Sequence, residues 1–365
     1  MTQWLRTVAV REITRIAMAV AIALGIAFVV IFLTSKAPLA SIRELLGAPL
    51  QRQRTIGLWL DDSAKLTVAG LAFSLVFQAR QFSMGLQGQV YMGGLAATFV
   101  AMSPLGLSGA AIPLSIVAGM MTGAIYGFIP GWAKARLGAN EIVSSLMLNY
   151  IALKIADYLI RVVLSPPGVG VLMSTPFPPS AVFPALVAHT RIDLGLILAI
   201  LTAVVVSFAL YRTGWGLRLR LVGHNARFAK YAGIEPASIM VGAMTLSGAL
   251  GGLLGVMFVE GQAFGKIAID FDGGLAFEGI LVATVARVQP LAVPVVALLY
   301  GYLRQGASLM GIRTDVPAEI IGVVQAVIIL LVASSFALPR RTGRRRQNDA
   351  LAPDIESPMA QGTRP

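Results

Sequence analysis

Apolar segments without charged side chains recur along this sequence at lengths that match the thickness of a bilayer. The first of them, Ile16–Leu33, carries no charge and follows Arg6, Arg11 and Arg15. A helix needs about 20 mostly apolar residues to cross a bilayer core. Hydrophobic residues make up 56% of the 365 residues and charged residues only 13%, a balance that a soluble fold of this size cannot bury. The sequence therefore predicts an all-α polytopic membrane protein and excludes a soluble enzyme.

The hydrophobic pattern predicts about ten transmembrane helices with both termini in the cytoplasm. Their expected positions are 16–33, 66–79, 90–103, 110–130, 143–164, 192–211, 236–259, 277–287, 290–303 and 318–338. Arg and Lys are concentrated in the segments that this count places inside, as the positive-inside rule requires. The charged residues predicted on or beside the outer loops include Asp61, Asp62, Lys65, Asp272 and Arg304. A cleaved signal peptide at the first segment is the alternative interpretation.

The chain divides into a transmembrane domain, residues 1–338, and a basic tail, residues 339–365, which is predicted to be disordered in the cytoplasm. The arginines of the tail suit contact with anionic membrane lipid. A net charge of +12 would point to nucleic acid in a soluble protein. Here the positive-inside bias accounts for it, so we expect no nucleic-acid partner.

Residue types needed for catalysis or metal binding are scarce. The absence of Cys excludes disulfides, iron–sulfur clusters and thiolate-bound zinc. His189 and His224 are the two histidines, and their separation argues against a histidine metal site. The sequence also lacks the G-x-x-x-x-G-K-[ST] loop that cradles nucleotide phosphates. We therefore expect neither an enzyme nor a cofactor, and any ATPase that acts with this chain must be another polypeptide.

Two polar, Gly-rich segments interrupt the hydrophobic pattern in a matched way. They are Arg80–Gln89 and Gly261–Gly274, and they lie five predicted spans apart. An odd number of spans per half gives the halves opposite orientations, so the pattern predicts an inverted repeat of five plus five helices. Paired interruptions of this kind mark a transport path in such repeats. The alternative is that both are tight turns between short helices.

The predicted inner loop 212–235 contains a short helix with its own start and stop signals. Asn225 is a favourable N-cap for a helix that begins at Ala226, and Gly233 is a favourable end. The helix would carry small and aromatic residues, among them Phe228 and Tyr231. An exposed apolar helix of this length is expected to dock into a partner. The alternative is an amphipathic helix on lipid headgroups.

This loop resembles the cytoplasmic coupling loop of permeases from ATP-binding-cassette (ABC) importers of the branched-chain amino acid, sugar and nucleoside superfamily. Three further stretches resemble motifs of its nucleoside and simple-sugar branch: Gly138–Tyr150, Phe82–Gln89 and Phe277–Ala283. The resemblance implies a multi-pass permease domain in the cytoplasmic (inner) membrane of a prokaryote. It also implies three protein partners: a cytoplasmic ABC ATPase, a second homologous permease chain and an extracytoplasmic substrate-binding protein. The residues it assigns to ATPase coupling are Gly223, His224, Asn225, Ala226, Arg227, Lys230, Gly233 and Ile234.

The resemblance implies import of nucleosides or simple sugars. The residues expected to line the substrate path are Phe82, Ser83, Gln87, Gln89 and Asn149, because an aromatic ring with amides suits a nucleobase or a sugar. Ser83 and Gln87 depart from the family pattern, which usually has Asn and Glu at these positions. Branched-chain amino acids are the alternative substrate.

Charged residues inside the fifth predicted span leave two interpretations open. Lys154, Asp157 and Arg161 lie on one helix face, and intramembrane charges are functional candidates by default. Their spacing also permits a local structural ion pair, which we favour. A secondary transporter driven by ions or protons is a further alternative, and Asp157 would then be its titrating residue. A membrane scaffold without transport activity remains the last alternative.

Overall fold

The computed structural model describes residues 37–314 except 167–171, 189 and 263, together with Gly25, Val29 and Phe32. Most of the first predicted span, the whole of the last one and the basic tail lie outside these residues. The described part is helical, and its β-type pairing consists of two isolated bridges, Met173–Ala268 and Ala185–Asp193. The prediction of an all-α protein is confirmed for the described part.

Helices cover the predicted spans within the described residues. They are α1 Pro38–Gln51, α2 Gln53–Gln78, α3 Leu86–Met102, α4 Ala111–Leu137, α5 Glu141–Leu159, α6 Leu194–Arg212, α7 Gly214–His224, α8 Ala226–Tyr231, α9 Pro236–Val259, α10 Leu275–Val285 and α11 Val293–Arg313. Helices α2 and α11 extend well beyond their predicted spans, and α1 lies outside every predicted span. A π-helical turn at Ile160–Leu164 extends α5. Three of the described helices, α4, α6 and α9, are long and apolar enough to cross a membrane, and α10 is a shorter apolar helix.

The prediction of an outer loop before residue 66 was wrong. Residues Gln53–Gln78 form one helix, and both Asp61 and Lys65 are buried within it. Their side chains form an ion pair of 2.8 Å at positions i and i+4, so each charge has a partner on the same helix. Arg304 on α11 is likewise paired, with Asp62 of α2 at 2.9 Å and with Glu278 of α10 at 3.0 Å. The prediction from hydropathy therefore ended the second and ninth spans at these charged residues, although the helices continue beyond them.

Helix α9 packs between α3 and α4 with the backbones almost touching. A Cβ atom added to Gly252 would lie 2.0 Å from the carbonyl oxygen of Gly119, and one on Gly255 would lie 2.2 Å from that of Val90. Along α9, Gly251 faces Gln89 and Val259 faces Gly94, so α9 is parallel to α3; Met244 faces Gly127 and Val256 faces Gly119, so α9 is antiparallel to α4. We call this contact region the glycine seam.

A second group of helices repeats the same relation. Helix α2 contacts α10, where Ala69 lies against Gly279, and it contacts α11, where Ser63 lies against Gly301. Further along, Gln78 Nε2 donates a hydrogen bond of 2.9 Å to the carbonyl oxygen of Val288, just beyond α10. Thus α2 is parallel to α10 and antiparallel to α11, as α9 is to α3 and α4.

Candidate functional site

The two interrupted segments meet inside the helix bundle. The Gln87 amide, in the first turn of α3, donates to the Asp272 carboxylate of the second segment at 3.4 Å. The Tyr91 hydroxyl donates to the same carboxylate at 3.0 Å, and the Tyr91 ring packs on Phe271 with centroids 4.6 Å apart. Because Asp272 directly precedes α10, the beginnings of α3 and α10 lie close together. This arrangement is the one expected for a pair of broken helices that border a path.

Asn149 on α5 holds the first segment in its non-helical conformation. Its amide donates to the carbonyl oxygen of Met84 at 2.6 Å, and its carbonyl oxygen accepts from the N–H of Gly88 at 2.8 Å. The Ser145 hydroxyl, one turn earlier, accepts from the N–H of Met84 at 3.0 Å. These bonds satisfy backbone groups that would otherwise be unpaired within the bundle.

The other predicted path residues surround this point with different exposures. Phe82 is exposed and stacks on Phe77, with ring centroids 5.1 Å apart. Ser83 is buried, and its hydroxyl accepts from the N–H of Gly85. Gln89 is also buried, and its Oε1 has no hydrogen-bond partner among the described residues. The structure therefore brings all five predicted residues to one region, but Ser83, Gln89 and Asn149 are enclosed by protein in this state.

Sequence reasoning missed Tyr91 and Asp272, which complete the contact between the two segments. Asp272 was predicted on an outer loop, whereas it is buried against α3. The available signal was an acidic residue inside a Gly-rich interruption of the hydrophobic pattern.

The predicted coupling loop contains the expected short helix, α8. The side-chain Oδ1 of Asn225 accepts from the N–H of Phe228 at 3.1 Å, and Gly233 ends the turn with φ +78°. On α8 the Ala229 side chain is buried, whereas Phe228 is 59% exposed and Tyr231 is 91% exposed. The structure thus leaves two aromatic rings of this helix uncovered.

The coupling loop also contacts the end of α2. Gly223 lies so close to the carbonyl of Gln78 that an added Cβ would be 1.9 Å from its oxygen. Gln78 is the last residue of α2 and lies just before the first interrupted segment, and its side chain bonds Val288 beyond α10. One residue therefore connects the coupling loop with the helices that adjoin both interrupted segments.

Glu260 is the most deeply enclosed acidic residue of the described chain. It follows the last residue of α9, it is 0% exposed, and neither carboxylate oxygen has a hydrogen-bond partner among the described residues. Burial raises the pKa of Glu260 to about 8. The carboxyl group is therefore neutral over most of the physiological pH range.

We expect the free energy of unfolding to fall as the pH rises from about 4.5 to about 8, because the folded chain alone retains the Glu260 proton in that window. The decrease is on the order of 5 kcal/mol. The Glu260→Gln variant should remove this dependence and be more stable than the parent at pH 8. Thermal unfolding of the purified protein at several pH values measures the effect. Glu235→Gln, at the exposed opposite end of α9, is the matched control. An unchanged pH profile in Glu260→Gln would show that the group is ionised in the folded protein.

A metal site is not supported by the described residues, since they contain no group of three or more His, Asp or Glu side chains that could hold an ion.

Comparisons of the sequence with known proteins match it to transport proteins. Residues 56–333 match the family described as branched-chain amino acid transport system / permease component. The guanosine ABC transporter permease protein NupP of Bacillus subtilis is 33% identical, over 78% of this chain and 82% of its own length. The nucleoside ABC transporter permease protein NupB of Lactococcus lactis is 29% identical, over 82% and 85%. A glucose ABC transporter permease protein of Haloferax volcanii is 30% identical, over 79% of both chains. No solved structure matches the chain significantly.

Proposed function

This chain belongs to the family of branched-chain amino acid transport system permease components, and from that membership we propose that it is the membrane-spanning permease subunit of an ABC importer for nucleosides or simple sugars. The names of three relatives, which refer to guanosine, nucleosides and glucose, support this substrate class. Branched-chain amino acids are the second candidate, because the family description names them. The importer would lie in the cytoplasmic membrane of a prokaryote.

An importer of this class needs partners that the chain itself does not supply. A cytoplasmic ABC ATPase would provide the energy, a second permease chain would complete the pore, and an extracytoplasmic protein would deliver the solute. The exposed rings of Phe228 and Tyr231 on α8 are the observation that supports an ATPase contact at the coupling loop, since exposed aromatic groups on a short helix favour a covering partner.

The packing of α2 and α9 supports an inverted repeat within about ten transmembrane helices. Each of these two helices has one parallel and one antiparallel neighbour, and in both cases the neighbours come from the other half of the chain. Both termini would then be cytoplasmic. A topology reporter fused after Gln262 is expected to read outside, and one fused after Gly223 inside; the opposite pattern would refute this topology.

The proposed mechanism runs through the contacts of Gln78. When ATP binding closes the ATPase dimer, the loop around α8 moves, and Gly223 transmits the movement to the end of α2. The hydrogen bond from Gln78 to Val288 extends it to the end of α10. Because α2 precedes one interrupted segment and α10 follows the other, both segments change position together. The site of Gln87 and Asp272 would thereby open alternately to the two sides.

Gln87→Ala is expected to change the range of imported solutes more than the amount of permease in the membrane. The substitution removes the amide that contacts Asp272 and leaves the Tyr91 hydroxyl as the side-chain hydrogen-bond donor to its carboxylate. Competition of unlabelled nucleosides, sugars and amino acids against uptake of a labelled nucleoside measures the range. Gln53→Ala, at the exposed start of α2, is the control. An unchanged competition profile would assign Gln87 a structural role.

The direct test of the function is ATP hydrolysis by the complex reconstituted with its ATPase, partner permease and binding protein. We expect stimulation by a nucleoside or a simple sugar and none by branched-chain amino acids. Stimulation by leucine or valine alone would favour the second candidate. Uptake driven by a proton gradient through this chain alone would refute the ABC assignment and point to a secondary transporter.

A further inference from the structure

Helix α1 lies at the end of the bundle that is remote from the coupling loop. Helix α9 is long and apolar enough to cross a membrane. Helix α2 runs along α9 in the opposite direction, since Gln78 at its end meets the coupling loop and Lys65 lies over the ring of Phe258 near the end of α9. Because α11 is antiparallel to α2, its last residue, Arg313, lies away from the coupling loop. Arg313 donates to Glu44 of α1 at 2.8 Å, which places α1 at the same end.

The contacts between α1 and α11 show that the two helices cross at a steep angle. Three consecutive residues of α1 meet positions of α11 that are spread over about 16 Å. The contacts pair Leu46 with Tyr302, Leu45 with Gly306 and Glu44 with Arg313. Neighbouring residues of a helix differ by about 100° around its axis and by only about 1.5 Å along it, so α11 passes around α1 rather than along it. Since α11 is aligned with the spanning helices, α1 lies close to the plane of the membrane.

The exposed apolar face of α1 points towards the middle of the membrane. Three leucines spaced seven and four residues apart share this face, and they are Leu39, Leu46 and Leu50, exposed by 79%, 45% and 55%. The face lies on the flank of α1 that meets Tyr302, which is nearer the middle of α11 than Arg313. The opposite flank holds Glu44 and Gln51, which both accept from Arg313 at 2.8 Å. This distribution suits a helix that lies between lipid chains and water.

The exposed charged side chains on and beside this face are all basic. Arg43 lies among the leucines, and Arg52 and Arg54 follow where α1 joins α2. The ion pairs among the described residues leave these three arginines without a carboxylate partner. A guanidinium group binds phosphate through two parallel hydrogen bonds, and a long basic side chain can extend from an apolar face to the headgroups. An apolar face edged by arginines is typical of helices that bind anionic membrane surfaces.

We propose that α1 is an interfacial helix that binds the outer leaflet of the membrane. Its three exposed leucines enter the acyl-chain region, and the three arginines bind the phosphates of anionic phospholipids such as phosphatidylglycerol. The choice of leaflet rests on the proposed topology, whereas the contact with lipid does not depend on which solute is imported. Only Arg52 separates α1 from α2. The contact therefore fixes the outer end of the helix whose other end meets the coupling loop.

The test measures membrane depth in a chain that naturally lacks cysteine. Single variants Leu39→Cys and Leu46→Cys carry a bimane label, and the assembled complex is placed in nanodiscs whose lipids are brominated on the acyl chains. Val204→Cys, 60% exposed on the apolar face of α6, is the control for lipid contact, and Tyr231→Cys, 91% exposed on α8, is the control outside lipid. We expect bromine to quench both α1 labels at least about threefold more strongly than the Tyr231 label, because an interfacial helix buries its apolar face among the chains.

The outcomes separate the lipid contact from the function as a whole. Quenching of the α1 labels no greater than that of the Tyr231 label would show that water or protein covers α1, and this result overturns the proposal. A disulfide from Leu46→Cys to the second permease chain would identify a protein interface and overturn it equally. Strong quenching in a complex that imports no nucleoside or sugar would support the proposal and refute the proposed function.

A second measurement addresses the arginines. The label at Leu46→Cys should be quenched at least about fivefold more by a small fraction of brominated phosphatidylglycerol than by the same fraction of brominated phosphatidylcholine, since each basic residue near an anionic surface contributes about this factor. Replacement of the three arginines of this region by Gln should remove the preference. The control replaces three exposed arginines near the coupling loop by Gln and should keep it: Arg136, Arg212 and Arg218. Equal quenching by the two lipids with all arginines present would exclude binding of the anionic headgroup.

Discussion

Replacement of Gly252 by leucine is expected to prevent stable packing of the helix bundle and to remove most folded permease from the membrane. A Cβ atom at Gly252 would lie 2.0 Å from the carbonyl oxygen of Gly119, a backbone atom that cannot rotate away. The helices α4 and α9 would have to separate along the glycine seam. Over-packing of this kind costs about 3 kcal/mol or more, a large fraction of the stability of an ordinary protein.

The measurement is the yield and thermal midpoint of detergent-solubilised protein, followed by size-exclusion chromatography. Gly109→Leu is the matched control, because nothing lies within 4 Å of a Cβ atom at that position. Gly252→Ala should fall between the parent and Gly252→Leu. Equal yield and stability of Gly252→Leu and Gly109→Leu would show that α4 and α9 do not approach each other this closely.

Changes at the coupling loop are expected to abolish solute-stimulated ATP hydrolysis without lowering the amount of permease. Gly233 has φ +78°, which proline cannot adopt because its ring holds φ near −65°. Gly233→Pro should therefore displace the end of α8. Reversal of the exposed charges of Arg227 and Lys230 to Glu should repel the surface that covers α8 without altering the fold.

ATP hydrolysis by the reconstituted complex, with and without loaded binding protein, measures the coupling. Arg136→Glu, which changes an exposed basic residue near the end of α4, controls for the added negative charge. The stimulated activity should vanish in the coupling-loop variants and persist in the control, while the basal activity persists in all. Normal stimulation in the Arg227 and Lys230 variant would exclude α8 as the contact with the ATPase.

Local signals in the sequence were sufficient for several elements of the fold. The helix α8 with its Asn225 cap and its Gly233 end follows from side-chain chemistry within a few residues. The α6 and α9 helices follow their apolar stretches to within about two residues. These features depend on interactions between neighbours in the chain, so no knowledge of the tertiary packing was needed.

The charged residues show where sequence reasoning failed. The charges of Asp61 and Lys65 led the hydropathy pattern to predict a loop, but the two side chains form an ion pair within α2. Arg304 was expected at the outer face, but it bonds carboxylates on two other helices. The energy of a buried charge depends on its partners, and partners from distant parts of the chain are unknown until the helices are packed.

The sequence by itself determined that this chain is a helical membrane protein, that two Gly-rich segments interrupt its pattern, and that a capped helix lies in one polar loop. Only the tertiary structure brought the two interruptions together through Gln87, Tyr91 and Asp272. It also decided that Lys154 lies on an exposed face and that Gly223 meets Gln78. The physical reason is range: hydrophobicity and capping act along the chain, whereas the neighbours of a polar group across the bundle are set by close backbone packing.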